Sequence, residues 1–270
     1  MSELQDNIRQ AAQAINQASA LLITAGAGMG VDSGLPDFRG NSGFWRAYPA
    51  LQGYPFEEMA NPKWFTDDPT RAWGFYGHRL NLYRETIPHK GFEILLNWSK
   101  NIPHFIYTSN VDGQFQKAGF ADDKIVECHG SIHHLQHLST RQHGSEIWSA
   151  EGYTVDVDMA TVRAKEPLPT KDGHILRPNI LMFGDGGWCD DRTDQQYEKF
   201  QQWFSNTDMS KVVIVEMGAG TAIPSVRNLS SRFQKNGGTL IRINPRESQG
   251  ADIPFALGAK EALMAIDGAR

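Results

Sequence analysis

Apolar residues Leu4, Ile8, Ala11, Ala12, Ile15 and Ala18 recur at helical spacing near the start of the chain and predict an amphipathic helix. It runs into Ala20-Leu21-Leu22-Ile23-Thr24, an apolar run too short for a helix, which predicts a buried strand. The runs Phe105–Thr108, Lys124–Glu127, Val212–Val215 and Thr239–Ile243 carry the same signal, and a further strand is expected at 179–183. Helical patterns at 89–100, 223–236 and 258–267 separate them. Strand–helix alternation of this kind predicts an α/β fold: a Rossmann-like, mostly parallel sheet with helices on both faces. Two stretches break the alternation. Residues 41–88 carry Trp45, Trp64, Trp73, Phe75, Tyr76 and Tyr83 among prolines, and residues 131–180 are rich in His, Gly and polar side chains. The expected organisation is a discontinuous Rossmann-like domain of 1–40, 89–130 and 181–270, with a smaller domain formed by the insertions 41–88 and 131–180.

Composition narrows this picture. At 270 residues the chain exceeds the roughly 100–200 of one compact domain, which fits a single domain with an elaboration. Its 40% hydrophobic and 21% charged residues exclude wholesale disorder and coiled coil. A net charge of −5 argues against a general attraction to nucleic acid or to an anionic membrane. Two cysteines, Cys128 and Cys189, cannot build a disulfide framework or a zinc site of cysteine pairs. The first residues lack the basic start and apolar core of a secretory signal, and no run of about 18 apolar residues follows. A soluble cytoplasmic protein is expected. The oligomeric state stays open.

The candidate chemistry starts after the first strand. Ala25-Gly26-Ala27-Gly28-Met29-Gly30 offers backbone free of side chains where a phosphate could approach, and a following helix N-terminus would add amide donors. A plain tight turn would need the same glycines. The dehydrogenase fingerprint G-x-G-x-x-G fails: from Gly26 its last position is Val31, and from Gly28 it is Ser33. No second strand with an acidic end follows about 20 residues on, so an ordinary hydride-transferring Rossmann enzyme is not expected.

The run Gly26-Ala27-Gly28-Met29-Gly30-Val31-Asp32-Ser33-Gly34-Leu35-Pro36-Asp37-Phe38-Arg39-Gly40 resembles the signature of the sirtuins, a family of NAD-dependent protein deacylases. Thr108-Ser109-Asn110-Val111-Asp112 is similar to that family's T-Q-N-[IV]-D, His129-Gly130 to its H-G, and Arg177-Pro178-Asn179-Ile180-Leu181-Met182-Phe183-Gly184-Asp185 to its R-P-x-V-V-x-F-G-E. Gly218-Ala219-Gly220-Thr221 stands where the family has G-T-S, and Ile243-Asn244 matches its strand-ending I-N. The elements keep the family's order over about residues 20 to 260.

The resemblance implies NAD as cofactor and an acyl-lysine protein or peptide as substrate. Gly26, Ala27 and Gly28 would present amides to the pyrophosphate, Arg39 would add a fixed cation, and Phe38, next to Asp37, would cap the ribose and exclude water. Asn110 and Asp112 would order the ribose and hold the nicotinamide carboxamide; an Asx turn is the plainer reading of the same pair. His129 would activate a ribose hydroxyl as base, completing the catalytic set Asn110, Asp112 and His129. Ser109, Gly218, Gly220, Thr221 and Asn244 fall at the cofactor positions. Residues 179–185, with Met182, Phe183, Gly184 and Asp185, would form an edge to which the peptide adds as a strand.

The pattern also breaks. Most sirtuins carry a zinc held by four cysteines between the catalytic His and the R-P motif, and this interval has no Cys. His133 and His137 could share a helical face with His134 and His143 nearby, but no acidic or thiolate partner stands at suggestive spacing, so no metal is expected. Ser109 replaces the usual Gln, Ala219 the Thr, Gly30 a Ser, and Asp185 the Glu. These departures keep two alternatives open: an NAD-consuming ADP-ribosyltransferase or NAD glycohydrolase, and a non-catalytic module that binds NAD or ADP-ribose.

Overall fold

The structure is a computed structural model that describes residues 2–37 and 40–270. The first helix, Glu3–Gln17, begins at Ser2, whose hydroxyl accepts from the Gln5 amide, and it buries Ala11, Ala12 and Ile15. The chain then enters β1 (Ala20–Ala25), all of whose residues are buried, as a strand covered on both faces requires. β2 (His104–Thr108) pairs with β1, and β3 (Ile125–Glu127) with β2, both in parallel. Next comes a smaller unit built from β4 (Gly130–His137), β5 (Ile147–Ser149), the two-stranded β6 (Val157–Asp158) and β7 (Arg163–Ala164), β8 (Thr170–Lys171) and β9 (His174–Ile180). The chain returns for β10 (Val212–Met217), β11 (Thr239–Ile243) and β12 (Ile253–Phe255). The result is a six-stranded parallel sheet of order β12-β11-β10-β1-β2-β3.

Alternation along each strand divides the core. Leu21 and Ile23 face the helices Lys90–Ser99 and Ala259–Asp267, against Phe92, Leu95 and Leu263. Leu22 and Phe105 face the helices Asp191–Ser205 and Ser225–Lys235, against Phe200 and Phe233. The expected α/β fold is therefore present. Among the elements not anticipated are β12 and a helix that covers the sheet. β12 is three residues long with Pro254 at its centre, tolerable because it is an edge strand. Helix Asp191–Ser205 buries only Thr193, Gln196 and Phe200, so its apolar periodicity is faint. The strand expected at 179–183 instead occupies His174–Ile180, with Phe183 and Gly184 in a turn.

The two irregular stretches share one core. Phe44, Tyr48, Phe65, Trp73, Phe75 and Tyr76 pack with Ile132, Leu135 and Leu176 of the antiparallel sheet β5-β4-β9-β8. The Trp73 indole donates to the Leu176 carbonyl at 2.9 Å, tying helix Pro69–Glu85 to β9. Gly74 and Gly77 let the 155–163 segment lie against that helix: a Cβ on them would come within 2.1 Å of the Val162 carbonyl and 2.4 Å of the Val155 side chain.

Candidate active site

The strand order reverses at β1, which has β2 on one side and β10 on the other. Ligands of open α/β sheets collect outside the carboxyl ends of strands at such a point. Here a cavity of about 550 Å³ opens there, walled by Gly26–Gly28, Ser109–Asp112, His129 and Gly218–Gly220 on the sheet side, and by Tyr76, Arg79, Tyr83 and Leu181–Phe183 on the other.

The glycines at its floor are set by the crossing of two loops. The Gly26 amide donates to the Met217 carbonyl at 3.0 Å and the Gly28 amide to the Gly218 carbonyl at 3.1 Å. A Cβ on Gly218, whose φ is +61°, would stand 2.4 Å from the Gly28 Cα. The chain thus uses two of the three amides expected to meet a phosphate, and among the described residues the Ala27 N–H alone of the three has no partner. The helix expected after this loop is also absent: two single-turn 3₁₀ segments, Ala27–Met29 and Val31–Ser33, follow instead.

The end of β2 is clamped to the same loop. Thr108 Oγ1 donates to the Ala25 carbonyl and accepts from the Asn110 amide, both at 3.0 Å, while Asn110 Nδ2 donates to the Gly26 carbonyl at 3.0 Å. Asp112 Oδ1 accepts from the Gln114 amide, the Asx turn read from the sequence. Burial pushes the Asp112 carboxyl up to about 6, opposed by that amide and by Arg79 and reinforced by Glu127. His129 follows β3, with Nε2 3.3 Å from the Ser225 hydroxyl. Burial pushes its pKa below the usual histidine value, an effect partly offset by a hydrogen bond to the Ser109 carbonyl. The ring is therefore neutral at pH 7 and can accept a proton.

A sequence profile of the Sir2 family matches residues 26–216, a span that holds the glycine loop, Asn110, Asp112 and His129. The chain belongs to the Sir2 family. It is 28% identical over 250 residues to an NAD-dependent protein deacylase of Aquifex aeolicus, covering 91% of this chain and 93% of that one. It is 30% identical to an NAD-dependent protein deacylase of Thermococcus kodakarensis, covering 88% and 84% of the two chains. Among solved structures, a Sir2 homologue in complex with NAD superposes with a TM-score of 0.73 at 25% identity, covering 97% of this chain and 93% of that one.

Within this Sir2-family chain the expected residues do not all reach the cavity. Gly26, Ala27, Gly28, Asp37, Ser109, Asn110, Asp112, His129, Met182, Phe183, Gly218 and Gly220 line it. Phe38 and Arg39 lie outside the described residues. Thr221 is exposed and donates to Glu247, and buried Asn244 holds the loop from behind, its Nδ2 donating to the Ala219 carbonyl and its Oδ1 accepting from the Arg246 and Glu247 amides. Gly184 and Asp185 are not in the wall. Asp185 is fully buried in an ion pair with Arg177 and accepts from the Met182 and Gly187 amides, so it pins the turn instead of ending an open edge. The amides of Leu181 and Phe183 are likewise taken, by the His129 and Ala60 carbonyls.

Sequence reading missed Ser225, Tyr76, Arg79 and Tyr83. The last three share one face of helix Pro69–Glu85 at three- and four-residue spacing, a signal that reads equally as core. Arg79 Nε donates to the Tyr83 hydroxyl at 3.0 Å, with its guanidinium 5.2–5.5 Å from the Phe75, Tyr76 and Tyr83 rings. His133 and His137 lie on strand β4, not on a helix: His133 turns to the Asp112 carbonyl, and His137 packs against His143 and Trp148. Among the described residues no three His, Cys, Asp or Glu side chains are grouped to hold a metal ion. Cys128 and Cys189 are free and buried. No helix among the described residues is long and apolar enough to cross a membrane.

Proposed function

We propose that this chain is an NAD-dependent protein lysine deacylase that yields nicotinamide, the free lysine and O-acyl-ADP-ribose. The observation that carries the reading is the meeting of Asn110, Asp112 and His129 in one cavity opposite the Gly26–Gly28 loop. The residues fit NAD: the crossing at Gly28 and Gly218 leaves backbone without side chains, the Ala27 amide is available to a phosphate oxygen, and the cavity has the size of a cofactor site, within roughly 300–1,000 Å³. NAD supplies a cleavable bond between nicotinamide and ribose. The chain's own part is to hold and to move protons. Asn110 fixes the Gly26 carbonyl and so the shape of the phosphate loop, while Asp112 sets a carboxylate for the carboxamide. Neutral His129, aligned by Ser225 and the Ser109 carbonyl, takes a proton from a ribose hydroxyl. Phe38 and Arg39 are assigned to the ribose and pyrophosphate on sequence alone. The cofactor domain is proposed as 1–40, 89–130 and 181–270, and the smaller domain as 41–88 and 131–180.

The wall also bears on the acyl group. Arg79 places a permanent cation among aromatic rings, where low polarity strengthens its pull on an anion. An acyl chain ending in a carboxylate is therefore favoured over a neutral acetyl group. Incubation with NAD and lysine peptides bearing neutral or acid-terminated acyl groups tests both levels. Nicotinamide release that requires the peptide, and that prefers the acid-terminated group, is expected; Arg79→Met should reverse that preference by roughly tenfold or more. Equal release without peptide would favour an NAD glycohydrolase, consistent with the engaged amides of Leu181, Met182 and Phe183.

A further inference from the structure

The exposed residues on the wall of the catalytic cavity mark its mouth: Ala27, Glu57, Leu181, Ala222 and Ile223 among the described residues. Two of the segments that carry them are tied together. The Phe183 amide donates to the Ala60 carbonyl at 2.9 Å, and the Phe56 and Phe183 rings meet edge to face at 6.1 Å, so the short helix Phe56–Met59 and the turn after β9 form one piece of the rim. An acyl-lysine side chain has to enter through this mouth, and its neighbours in the peptide stay outside on the rim. With the amides of Leu181, Met182 and Phe183 already engaged, this turn has no N–H left to pair with a peptide backbone. Choice among peptides therefore falls to the side chains of the rim.

Of those five exposed residues Glu57 alone is charged. Its neighbour Glu58 is not in the wall and lies 3.5 Å from Lys63, whereas among the described residues no cation pairs with Glu57. The other charged groups of the wall are committed: Asp37 is engaged, Asp112 accepts from the Gln114 amide, and Arg79 is buried among aromatic rings. The wall is thus graded, with its cation at depth and an open carboxylate at the rim. A charge at the rim acts on the approach and register of a partner, and it does so without the desolvation cost that a buried charge carries.

We propose that Glu57 is a specificity-determining residue that selects peptides with a cationic residue, arginine or lysine, adjoining the acylated lysine. The inference rests on the deacylase reading and adds to it the charge of the substrate's flank. Arg79 and Glu57 then read different parts of one substrate: the end of the acyl group inside the cavity, and the peptide beside the lysine outside it.

Steady-state kinetics of the full chain with NAD test it, using peptides that share one acyl-lysine and differ only in having Arg, Ala or Glu at the two adjoining positions. The expected order of kcat/KM is Arg, Ala, Glu, with roughly two- to fivefold between Arg and Ala, the range of an exposed ion pair. The difference should lie in KM with kcat alike, and added salt should shrink it. In Glu57→Gln the ratio of Arg to Ala should fall to about one, while Glu58→Gln, on the same helix but outside the wall, should keep it. Loss of the preference in Glu58→Gln as well would assign it to the general charge of the helix and overturn the role of Glu57. Turnover indifferent to the flanking charge, or a preference that survives in Glu57→Gln, would overturn this inference alone. No turnover of any peptide would overturn the deacylase reading and this inference with it.

Discussion

His129 and Asp112 owe their chemistry to burial more than to any partner. Desolvation lowers the imidazole below its ordinary value and raises the carboxyl to about 6, so that both are mainly deprotonated at neutral pH. Each acts in its deprotonated form. Activity is therefore present above both values and lost as pH falls through about 6, with the histidine limb below its ordinary value of about 6.5. A kcat/KM profile should show this acid limb, and Asp112→Asn should lower the rate while leaving only the limb of His129; a limb above pH 7 would contradict the assignment. His129→Ala should cut turnover at least about 100-fold while NAD affinity by calorimetry stays within a few-fold. Undiminished turnover would remove His129 from its role. These two residues were legible in the sequence because each follows a strand and carries a family motif. Ser225 was not, because a serine opening a helix carries no chemical signature of its own.

At the level of elements, the turn after β9 shows a motif residue serving structure. The Arg177–Asp185 pair is completely buried, and Asp185 also ties down the Met182 and Gly187 amides. Removing one partner leaves an uncompensated buried charge, which costs about 3–5 kcal/mol. Asp185→Ala should lower the thermal midpoint by several degrees or more before any effect on peptide KM is measured. A variant of unchanged stability with only a raised KM would restore the substrate-edge reading. Strands β1, β2, β10 and β11 were readable as continuous apolar runs, since burial on both faces removes any polar alternation. The strand β12 and the helix Asp191–Ser205 were not, one too short and the other too polar to announce itself. In the glycine loop both readings of the sequence meet: Gly26 and Gly28 let the loops after β1 and β10 cross closely, and the same bare backbone faces the cavity.

Across the whole molecule, a parallel sheet and an aromatic-walled insertion face one another over a shared cavity, and the insertion is held without cysteine ligands by Trp73, Tyr48, Tyr76 and their neighbours. The alternation of strands and helices made the sheet predictable. Arg79, Tyr76 and Tyr83 were hidden because a helix face of aromatic residues reads the same whether it fills a core or lines a site. The central claim is that the acyl group leaves lysine for ADP-ribose. Mass spectrometry of a reaction with NAD and an acyl-lysine peptide measures this directly. Deacylated peptide, nicotinamide and O-acyl-ADP-ribose should form in equal amounts, and unmodified ADP-ribose beside an untouched peptide would contradict the account.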